Sequence, residues 1–307
     1  MTTRPLLLAM PGNEAFTSAI ATTLDAEVGS LEVRRFPDGE SYVRIDSNVV
    51  DRQVAIVHSL HAPDPQFLPL IFVARVAADL GAARVGLVAP YLAYMRQDWR
   101  FKPGEAISSI YFADMLSQCF SWLVTVDPHL HRWKHLSDVY TLDARVVSAA
   151  TAVGDWIRLN VKDPVLIGPD SESSQWVTAI AEPSRVPFVV LEKTRHGDRE
   201  VTIDMNDDES LKQRTPVLVD DIISTAHTMI AVVRQLRARG LPAPVCIGIH
   251  GIFAAEAERE LLEAGAAQIV TANSIPHHTN QIDLGNPVAT MVRTLLAEMA
   301  QGATQRC

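Results

Sequence analysis

The sequence is poor in cysteine and has no excess of basic side chains. Its 307 residues include three cysteines, Cys119, Cys246 and Cys307, which are widely spaced and form no CxxC pair. A disulfide framework or a cysteine-based zinc site is therefore not expected. The formal net charge is −9 at pH 7. This balance argues against nucleic acid or an anionic membrane as a partner, because both bind to positively charged surfaces.

Long apolar runs are also missing. The N-terminal apolar segment is only a few residues long, which is too short for a signal peptide. No stretch approaches the roughly 18–20 apolar residues that a membrane helix needs, so we expect a cytoplasmic protein. The composition is that of an ordinary globular enzyme, with 48% hydrophobic and 21% charged residues. The length suits two domains.

Short apolar runs alternate with longer helical patterns along the whole chain. The strand-like runs lie at 5–10, 54–58, 84–89, 122–126, 164–167, 187–191, 216–219, 244–249 and 268–271. The helical patterns lie at 66–80, 106–118, 144–159, 228–239, 254–264 and 287–300. Continuous apolar strands separated by helices predict parallel sheets covered on both faces. We therefore predict an α/β fold with two domains, 1–150 and 151–307.

Segment 215–228 is the most informative part of the sequence. An apolar strand pattern leads into Asp220 and Asp221, then into three hydroxyl residues, and then into a helix. Ligands of open α/β sheets bind at the carboxyl ends of strands, where loop amides and a helix N-terminus suit a phosphate. Two carboxylates suit sugar hydroxyls or Mg²⁺. A sugar phosphate would use the whole segment, whereas simple capping of the next helix would not.

This segment resembles the phosphoribosyl-pyrophosphate loop of type I phosphoribosyltransferases and of ribose-phosphate pyrophosphokinases. The resemblance implies two tandem type I phosphoribosyltransferase-like domains, each a mainly parallel sheet flanked by helices. It also implies that ribose 5-phosphate binds to this loop. The implied contact residues are Asp220, Asp221, Ser224, Thr225, Ala226, His227 and Thr228.

Five further segments favour the pyrophosphokinases within this group. Phe36-Pro37-Asp38-Gly39-Glu40 and Arg96-Gln97-Asp98 are similar to the two segments that contact ATP in that family. Asp127-Pro128-His129 resembles the segment of that family in which an aspartate and a histidine lie near ATP and the metal. Gly168-Pro169-Asp170 resembles the start of the family's pyrophosphate loop. Lys193-Thr194-Arg195 resembles its catalytic loop. The segments follow the family's order over nearly the whole chain.

The resemblance implies transfer of the diphosphoryl group of ATP to the anomeric hydroxyl of ribose 5-phosphate, which gives AMP and phosphoribosyl pyrophosphate. Lys193, Arg195 and His129 would be catalytic, and His129 and Asp170 would hold Mg²⁺. ATP would lie at a subunit interface, which requires a homo-oligomer, at least a dimer. The implied ATP contacts are Phe36, Asp38, Glu40, Arg96, Gln97 and Asp98.

Two loops depart from the family pattern. Ala226-His227 stands where the family usually has a glycine pair, and glycine is the residue that tolerates left-handed torsion angles. Ser171-Glu172-Ser173 follows Asp170 where glycines and a basic helix start are usual. These departures predict a divergent member of the family. They leave three alternatives open: a non-catalytic associated protein, a kinase that moves only the γ-phosphoryl group, and a phosphoribosyltransferase.

Individual motifs also have plainer interpretations. The tripeptide 37–39 is a common turn, Arg96 and Asp98 could form a surface ion pair, and Lys193 and Arg195 could belong to an exposed turn. His129 and His131 stand two residues apart and could share a zinc ion. The remaining histidines of interest are interpreted as loop or core residues, and these are His58, His61, His277 and His278.

Overall fold

The computed structural model describes residues 4–169, 173–191, 193–196, 200–203 and 213–304. The chain divides into two compact units, Met1–Ser148 with Gly285–Cys307, and Ala149–Leu284. Each unit is built on a six-stranded sheet in which every neighbouring pair of strands is parallel. Within the described residues, no helix has the length and apolar character needed to cross a membrane.

The first unit carries eight of the described strands. The sheet strands are β1 (Leu6–Ala9), β2 (Glu27–Val28), β5 (Gln53–Val57), β6 (Arg84–Ala89), β7 (Trp122–Val126) and β8 (Asp143–Val147). Strands β3 (Leu31–Arg35) and β4 (Ser41–Ile45) form an antiparallel hairpin. Its helices are α1 (Glu14–Leu24), α2 (Asp64–Asp79), α3 (Ser108–Ser117) and a 3₁₀ turn at Leu136–Asp138. The strand order is β2-β1-β5-β6-β7-β8.

The second unit repeats this plan. It begins with α4 (Ala150–Asn160) and contains the sheet strands β9 (Pro164–Gly168), β10 (Phe188–Val190), β13 (Thr215–Ile223), β14 (Val245–Gly251), β15 (Gln268–Ala272) and β16 (Asn280–Ile282). Strands β11 (Lys193–His196) and β12 (Glu200–Ile203) form the second antiparallel hairpin. The helices between strands are α5 (Ser174–Ser184), α6 (His227–Ala238) and α7 (Ala257–Glu263). The strand order is β10-β9-β13-β14-β15-β16.

The two strand orders are the same once β9 is matched to β1 and β13 to β5. In both units a hairpin is inserted between the second and third sheet strands along the chain. Central strands are continuously apolar and buried, as in β1, where Leu6, Leu7 and Leu8 have no exposed surface. The prediction of two tandem α/β domains, each with a mainly parallel sheet flanked by helices, is confirmed.

The last helix of the chain belongs to the first unit. Helix α8 (Gly285–Thr304) packs on α1, β7 and β8, and Arg145 contacts Glu298 at 2.8 Å. Helix α4 follows the first sheet but packs on α5 and β16 of the second unit. The division into 1–150 and 151–307 assigned the last helix to the second domain. Sequence order suggested that assignment, but the buried apolar face of α8 packs against elements of the first unit.

The helix predicted at 144–159 is only partly correct. Asp143–Val147 is the edge strand β8, which pairs in parallel with β7, and the helix begins at Ala150. The two β-branched residues Val146 and Val147 favour the strand. Alanine at 144 and the helical pattern that follows obscured this boundary in the sequence.

Candidate active site

The predicted sugar-phosphate segment lies at the carboxyl edge of the second sheet. Strand β13 is buried from Pro216 to Val219 and carries two acids near its carboxyl end, Asp220, which is half-buried, and Asp221, which is buried. The backbone N–H of Asp221 donates to Asp220 Oδ1 at 3.0 Å. Both carboxylates therefore stand at the end of a central parallel strand, where ligands of such sheets bind.

The loop after β13 is anchored by its neighbour strand. The carbonyl of Ile223 accepts hydrogen bonds from the backbone of Ile252 and Phe253, at 2.9 and 3.0 Å, and the carbonyl of Ser224 accepts one from Ala254 at 3.0 Å. These contacts fix the path of the chain from the strand to helix α6. The hydroxyl residues Ser224, Thr225 and Thr228 all retain some exposed surface, so they can reach a ligand.

Ala226 adopts the conformation for which the family usually has glycine. Its backbone angles are φ 56° and ψ 10°, in the left-handed region, and it directly precedes His227, the first residue of α6. The first N–H groups of an α-helix have no acceptor inside the helix. An anion placed before α6 would receive these donors and the positive end of the helix dipole. The side chain of His227 is exposed.

Gly248 explains how β14 fits beside this loop. It lies opposite Asp220 in the pairing of β13 with β14. A Cβ atom at this position would come within 2.6 Å of Ile223 Cγ1. The close approach of the two strands therefore requires a residue without a side chain, and it holds Ile223 at the entrance of the loop.

The predicted pyrophosphate loop begins beside β13. Strand β9, which pairs with β13, ends at Gly168, and Ser173 is buried immediately before α5. A Cβ atom on Gly168 would come within 2.6 Å of Ser173 Oγ, so the two ends of the loop approach closely. Asp170, Ser171 and Glu172 lie outside the described residues.

The predicted catalytic loop is the hairpin of β11 and β12. Lys193 pairs with Ile203, and Arg195 with Val201, in an antiparallel register. The described structure covers the backbone of these residues and not their side chains. The hairpin was not predicted as strands from the sequence.

The first predicted ATP segment is the turn of the β3–β4 hairpin. Gly39 has φ 94°, which suits glycine, and its N–H donates to the carbonyl of Phe36 at 2.9 Å. The ring of Phe36 is 41% exposed. The guanidinium of Arg34 lies 4.9 Å from the centroid of this ring and 3.9 Å from that of Tyr42. The hairpin therefore presents a braced aromatic face to its surroundings.

The second ATP segment is tied to the segment that contains the predicted catalytic histidine. Asp98 is buried, and its Oδ1 accepts from Arg132 Nη1 at 2.8 Å while Oδ2 accepts from the Arg132 backbone at 3.1 Å. The sequence allowed a surface ion pair between Arg96 and Asp98. In the structure Asp98 is buried and its partner is Arg132. Gln97 accepts hydrogen bonds from the hydroxyl of Ser108 and, through its carbonyl, from the backbone of Ser109.

The Asp98–Arg132 contact was missed from the sequence. The only signal was an arginine three residues after His129, and nothing in the pattern of the sequence links it to an aspartate 34 positions earlier. The contact joins the loop after β6 to the loop after β7, and these strands are neighbours in the sheet. It therefore brings Arg96-Gln97-Asp98 to the same sheet edge as His129.

His129 and His131 lie in the loop after β7 with their rings side by side. Their rings are stacked at an interplanar angle of 15° with centroids 6.2 Å apart. Asp127, at the end of β7, is buried and has a left-handed φ of 32°. Among the described residues, no third acidic, thiol or imidazole ligand joins the two histidines in a metal-binding group. The zinc interpretation of this pair therefore gains no support.

The duplicated parallel sheets and the acid–hydroxyl loop define a protein of the type I phosphoribosyltransferase class. Residues 6–119 match the N-terminal domain of ribose phosphate pyrophosphokinase, and residues 138–284 match the phosphoribosyl transferase domain. The chain is 35% identical over 279 residues to the ribose-phosphate pyrophosphokinase of Methanopyrus kandleri, covering 90% of this chain and 94% of that protein. The chain belongs to the ribose-phosphate pyrophosphokinase family.

Two further proteins agree with this assignment. The ribose-phosphate pyrophosphokinase of Saccharolobus solfataricus is 31% identical over 273 residues, which cover 88% of this chain and 93% of that protein. The crystal structure of phosphoribosylpyrophosphate synthetase from Mycobacterium smegmatis matches with a TM-score of 0.85 over 96% of this chain and 100% of that chain. The identity in that match is 23%, so it supports the fold.

Proposed function

We propose that this protein transfers the diphosphoryl group of ATP to the anomeric hydroxyl of ribose 5-phosphate. The observation that carries the proposal is the segment from Asp220 to Thr228, in a chain of this family. Two acids at the end of a central strand lead through a left-handed residue into a helix N-terminus. This order of groups suits a sugar followed by its phosphate.

Ribose 5-phosphate would bind along this segment. The carboxylates of Asp220 and Asp221 would accept hydrogen bonds from the ribose hydroxyls. The phosphate would lie against the loop of Ser224, Thr225 and Ala226 and the start of α6 at His227 and Thr228. An exposed His227 side chain next to the helix N-terminus adds a possible donor, and a positive charge when it is protonated.

ATP would bind through the hairpin turn and the loop after β6. The exposed and braced ring of Phe36 suits stacking on a base, and Asp38 and Glu40 flank the same turn. Arg96 and Gln97 would contact the nucleotide directly. Asp98 is also a proposed ATP contact. Its ion pair with Arg132 would hold the loop after β6 and the loop after β7 at one edge of the sheet.

The acidic groups of the site suit Mg²⁺, and the family resemblance adds His129. Carboxylate oxygen is the ligand that this ion prefers, and it is commonly bound by one or two carboxylates together with substrate phosphates. Asp170 and His129 are the proposed protein ligands, and Asp220 and Asp221 add negative charge. When bound, the ion would neutralise charge on the triphosphate.

The reaction would be an in-line displacement at the β-phosphorus. The anomeric hydroxyl gives up its proton to solvent and its oxygen forms a bond to the β-phosphorus. The bond between the β-phosphorus and the oxygen that bridges it to the α-phosphorus breaks, and AMP leaves. Such transfers depend on alignment and charge neutralisation. Lys193 and Arg195 would neutralise the charge that spreads over the transferred group. His129 is the third proposed catalytic residue.

An assembly of several copies fits the exposed apolar side chains of the first unit. Helices α2 and α3 expose large apolar residues that an isolated unit would leave in water, namely Leu68, Phe72, Ile110, Tyr111 and Met115. A cavity of about 340 Å³ opens among Phe67, Tyr94 and Phe112. Exposed apolar groups of this kind commonly mark interfaces. They support a homo-oligomer, while the proposal that ATP binds at a subunit interface rests on the family resemblance.

The deciding experiment is nucleotide product analysis after incubation of the purified protein with ATP, Mg²⁺ and ribose 5-phosphate. We expect AMP and phosphoribosyl pyrophosphate in equal amounts. ADP with a ribose bisphosphate would identify a simple kinase instead. Absence of turnover with a folded protein would favour a regulatory relative, and pyrophosphate release that needs a base but no ATP would indicate a phosphoribosyltransferase.

A further inference from the structure

Three potential metal ligands meet in the second unit, and none of them has a role in the proposed reaction. Glu258 lies on helix α7, and His277 and His278 lie in the loop between β15 and β16. One ligand atom from each of the three lies within 4.8 Å of the other two. His278 Nε2 is 2.7 Å from Glu258 Oε1, and His277 Nε2 is 4.0 Å from Glu258 Oε2. The group therefore has the ligand number of an open zinc site.

The ring of His277 is held so that its Nε2 faces the carboxylate. Its Nδ1 lies 2.8 Å from Thr279 Oγ1, and Thr279 Oγ1 lies 2.8 Å from Thr271 Oγ1. The ring also packs against Phe253, with centroids 4.6 Å apart. The backbone N–H of Thr279 also donates to this Nδ1 at 3.4 Å. Contacts on the far ring nitrogen are usual for a metal-binding histidine, because they fix the ring orientation.

The arrangement of the three side chains also suits a cation. The centroids of the two imidazole rings lie 4.3 Å apart, and the Glu258 carboxylate lies beside both rings. An ordinary ion pair would involve only Glu258 and His278. Here Nε2 of His277 also faces the Glu258 carboxylate, as a third metal ligand would.

We propose that Glu258, His277 and His278 form a site for a divalent transition-metal ion, with Zn²⁺ as the best-fitting ion. Two imidazole nitrogens and one carboxylate oxygen are the ligands of open zinc sites, in which water completes the tetrahedron. Imidazole donors favour Zn²⁺, Ni²⁺ or Cu²⁺, whereas Mg²⁺ prefers oxygen. The ligands come from α7 and the β15–β16 loop, so a bound ion would cross-link these two segments.

The test is a Zn²⁺ titration of the full chain without nucleotide or sugar, in competition with a chromogenic chelator. We expect the double variant His277→Ala/His278→Ala to bind one Zn²⁺ fewer per chain than the wild type. Glu258→Gln should weaken this site by about 10-fold or more. Glu256→Gln is the matched control, because Glu256 is an exposed carboxylate near the start of the same helix whose partner is Arg259. It should bind Zn²⁺ like the wild type.

Thermal unfolding supplies an independent readout. Zn²⁺ bound only to the folded state should raise the melting temperature of the wild type and not that of the double variant. Equal stoichiometry and affinity in the wild type and a folded double variant would overturn the proposal. If the double variant does not fold, Thr279→Val keeps all three ligands and should weaken Zn²⁺ binding by roughly 10-fold. Unchanged affinity in that variant would overturn the proposal equally.

Discussion

The two sheets share a strand order but differ at the carboxyl end of their third strand along the chain. In the second sheet, β13 carries Asp220 and Asp221 close to its end at Ile223 and leads into the hydroxyl loop. In the first sheet, β5 is followed by His58 and Ser59, which are buried. Asn13 Oδ1 accepts from the Ser59 backbone at 2.7 Å, and Asn13 Nδ2 lies 3.3 Å from His58 Nδ1. The equivalent position in the first sheet is therefore filled by the protein's own side chains.

The comparison shows that the strand order alone does not create a ligand site. The carboxyl edge of each sheet could bind a ligand, but only suitable side chains at the strand ends make it a site. In the first sheet the polar groups at that edge are turned inward, and the ATP motifs occur instead on the hairpin and on the loops after β6 and β7. In the second sheet Asp220 and the hydroxyl residues keep some exposed surface, while Asp221 is buried. Side-chain identity at the strand ends accounts for the difference, and variants on either side of the comparison can test it.

The largest effect is expected from the second hairpin. Lys193→Ala should lower kcat by roughly 10³-fold, by analogy with cations that stabilise transferred phosphoryl groups, with little change in KM for ATP. Steady-state kinetics with both substrates will measure it. Lys162→Ala, which removes an exposed lysine in the same unit, should leave both constants unchanged. Near-normal turnover of the Lys193 variant would contradict the proposed catalytic role of Lys193.

The second prediction concerns His58 in the first sheet. Burial, together with nearby His61, lowers the pKa of His58 from 6.5 to about 4. The folded state therefore binds fewer protons than the unfolded state between these values, and stability is lost as the pH falls from about 6.5 to about 4. The difference of 2.5 pK units corresponds to roughly 3 kcal/mol in the free energy of unfolding.

Urea unfolding at several pH values measures this dependence. His58→Asn should flatten the acid-side decline, even if its stability at neutral pH is lower. His131→Asn, which replaces an exposed histidine of the same unit, should keep the wild-type slope. An unchanged slope in the His58 variant would show that this buried edge does not control acid sensitivity.

Two glycines test the packing of the two sheets. A Cβ atom on Gly86 would come within 1.9 Å of the buried Trp122 ring, whereas one on Gly248 would meet the more movable Ile223 side chain at 2.6 Å. Gly86→Ala should therefore lower the free energy of unfolding by about 3 kcal/mol, and Gly248→Ala by about 1–2 kcal/mol. Denaturant titrations measure both values.

The two glycine variants should also differ in their KM for ribose 5-phosphate. Gly248→Ala displaces Ile223, whose carbonyl anchors the sugar-phosphate loop, so KM for ribose 5-phosphate should rise. Folded Gly86→Ala protein should keep a normal KM for this substrate. Equal changes in KM for the two variants would argue against a specific link between Gly248 and the loop.

The central sheets were predictable because their strands are continuous apolar runs. The run predicted at 54–58 corresponds to β5 (Gln53–Val57), and that at 122–126 to β7 (Trp122–Val126). The helix predicted at 228–239 begins one residue earlier, at His227. A strand that is buried on both faces is apolar along its whole length, and such a run can be recognised from the local sequence alone.

The hairpins and the long-range contacts were not predictable in this way. Strands β3 and β4 are mostly half-buried and carry several charged residues, so no apolar run marks them. The Asp98–Arg132 pair and the cluster of Glu258 with His277 and His278 each depend on loops that tertiary structure brings together. His277 and His278 were interpreted as loop residues, which is correct for their position but does not reveal Glu258 beside them.

The smallest effect is expected at two left-handed alanines. Ala226 precedes α6 with φ 56°, and Ala62 precedes α2 with φ 45°, so both sheets use this conformation after their third strand. A side chain in this region costs about 1–2 kcal/mol, while glycine adds roughly 0.5–1 kcal/mol of unfolded-state entropy. Ala62→Gly should therefore stabilise the protein by about 0.5–1 kcal/mol. Ala226→Gly should stabilise it by less, because Ala226 is buried in the core cluster and loses the packing of its methyl group.

Only one of these alanines should affect substrate binding. Ala226→Gly restores the residue usual in the family at the start of the proposed phosphate site, so KM for ribose 5-phosphate should fall or stay the same. Ala62→Gly should leave that KM unchanged, because the first sheet holds no proposed sugar phosphate there. A KM that rises in Ala226→Gly would mean that the alanine contributes to binding. The Ala226-His227 departure would then be a feature of the binding site that glycine cannot replace.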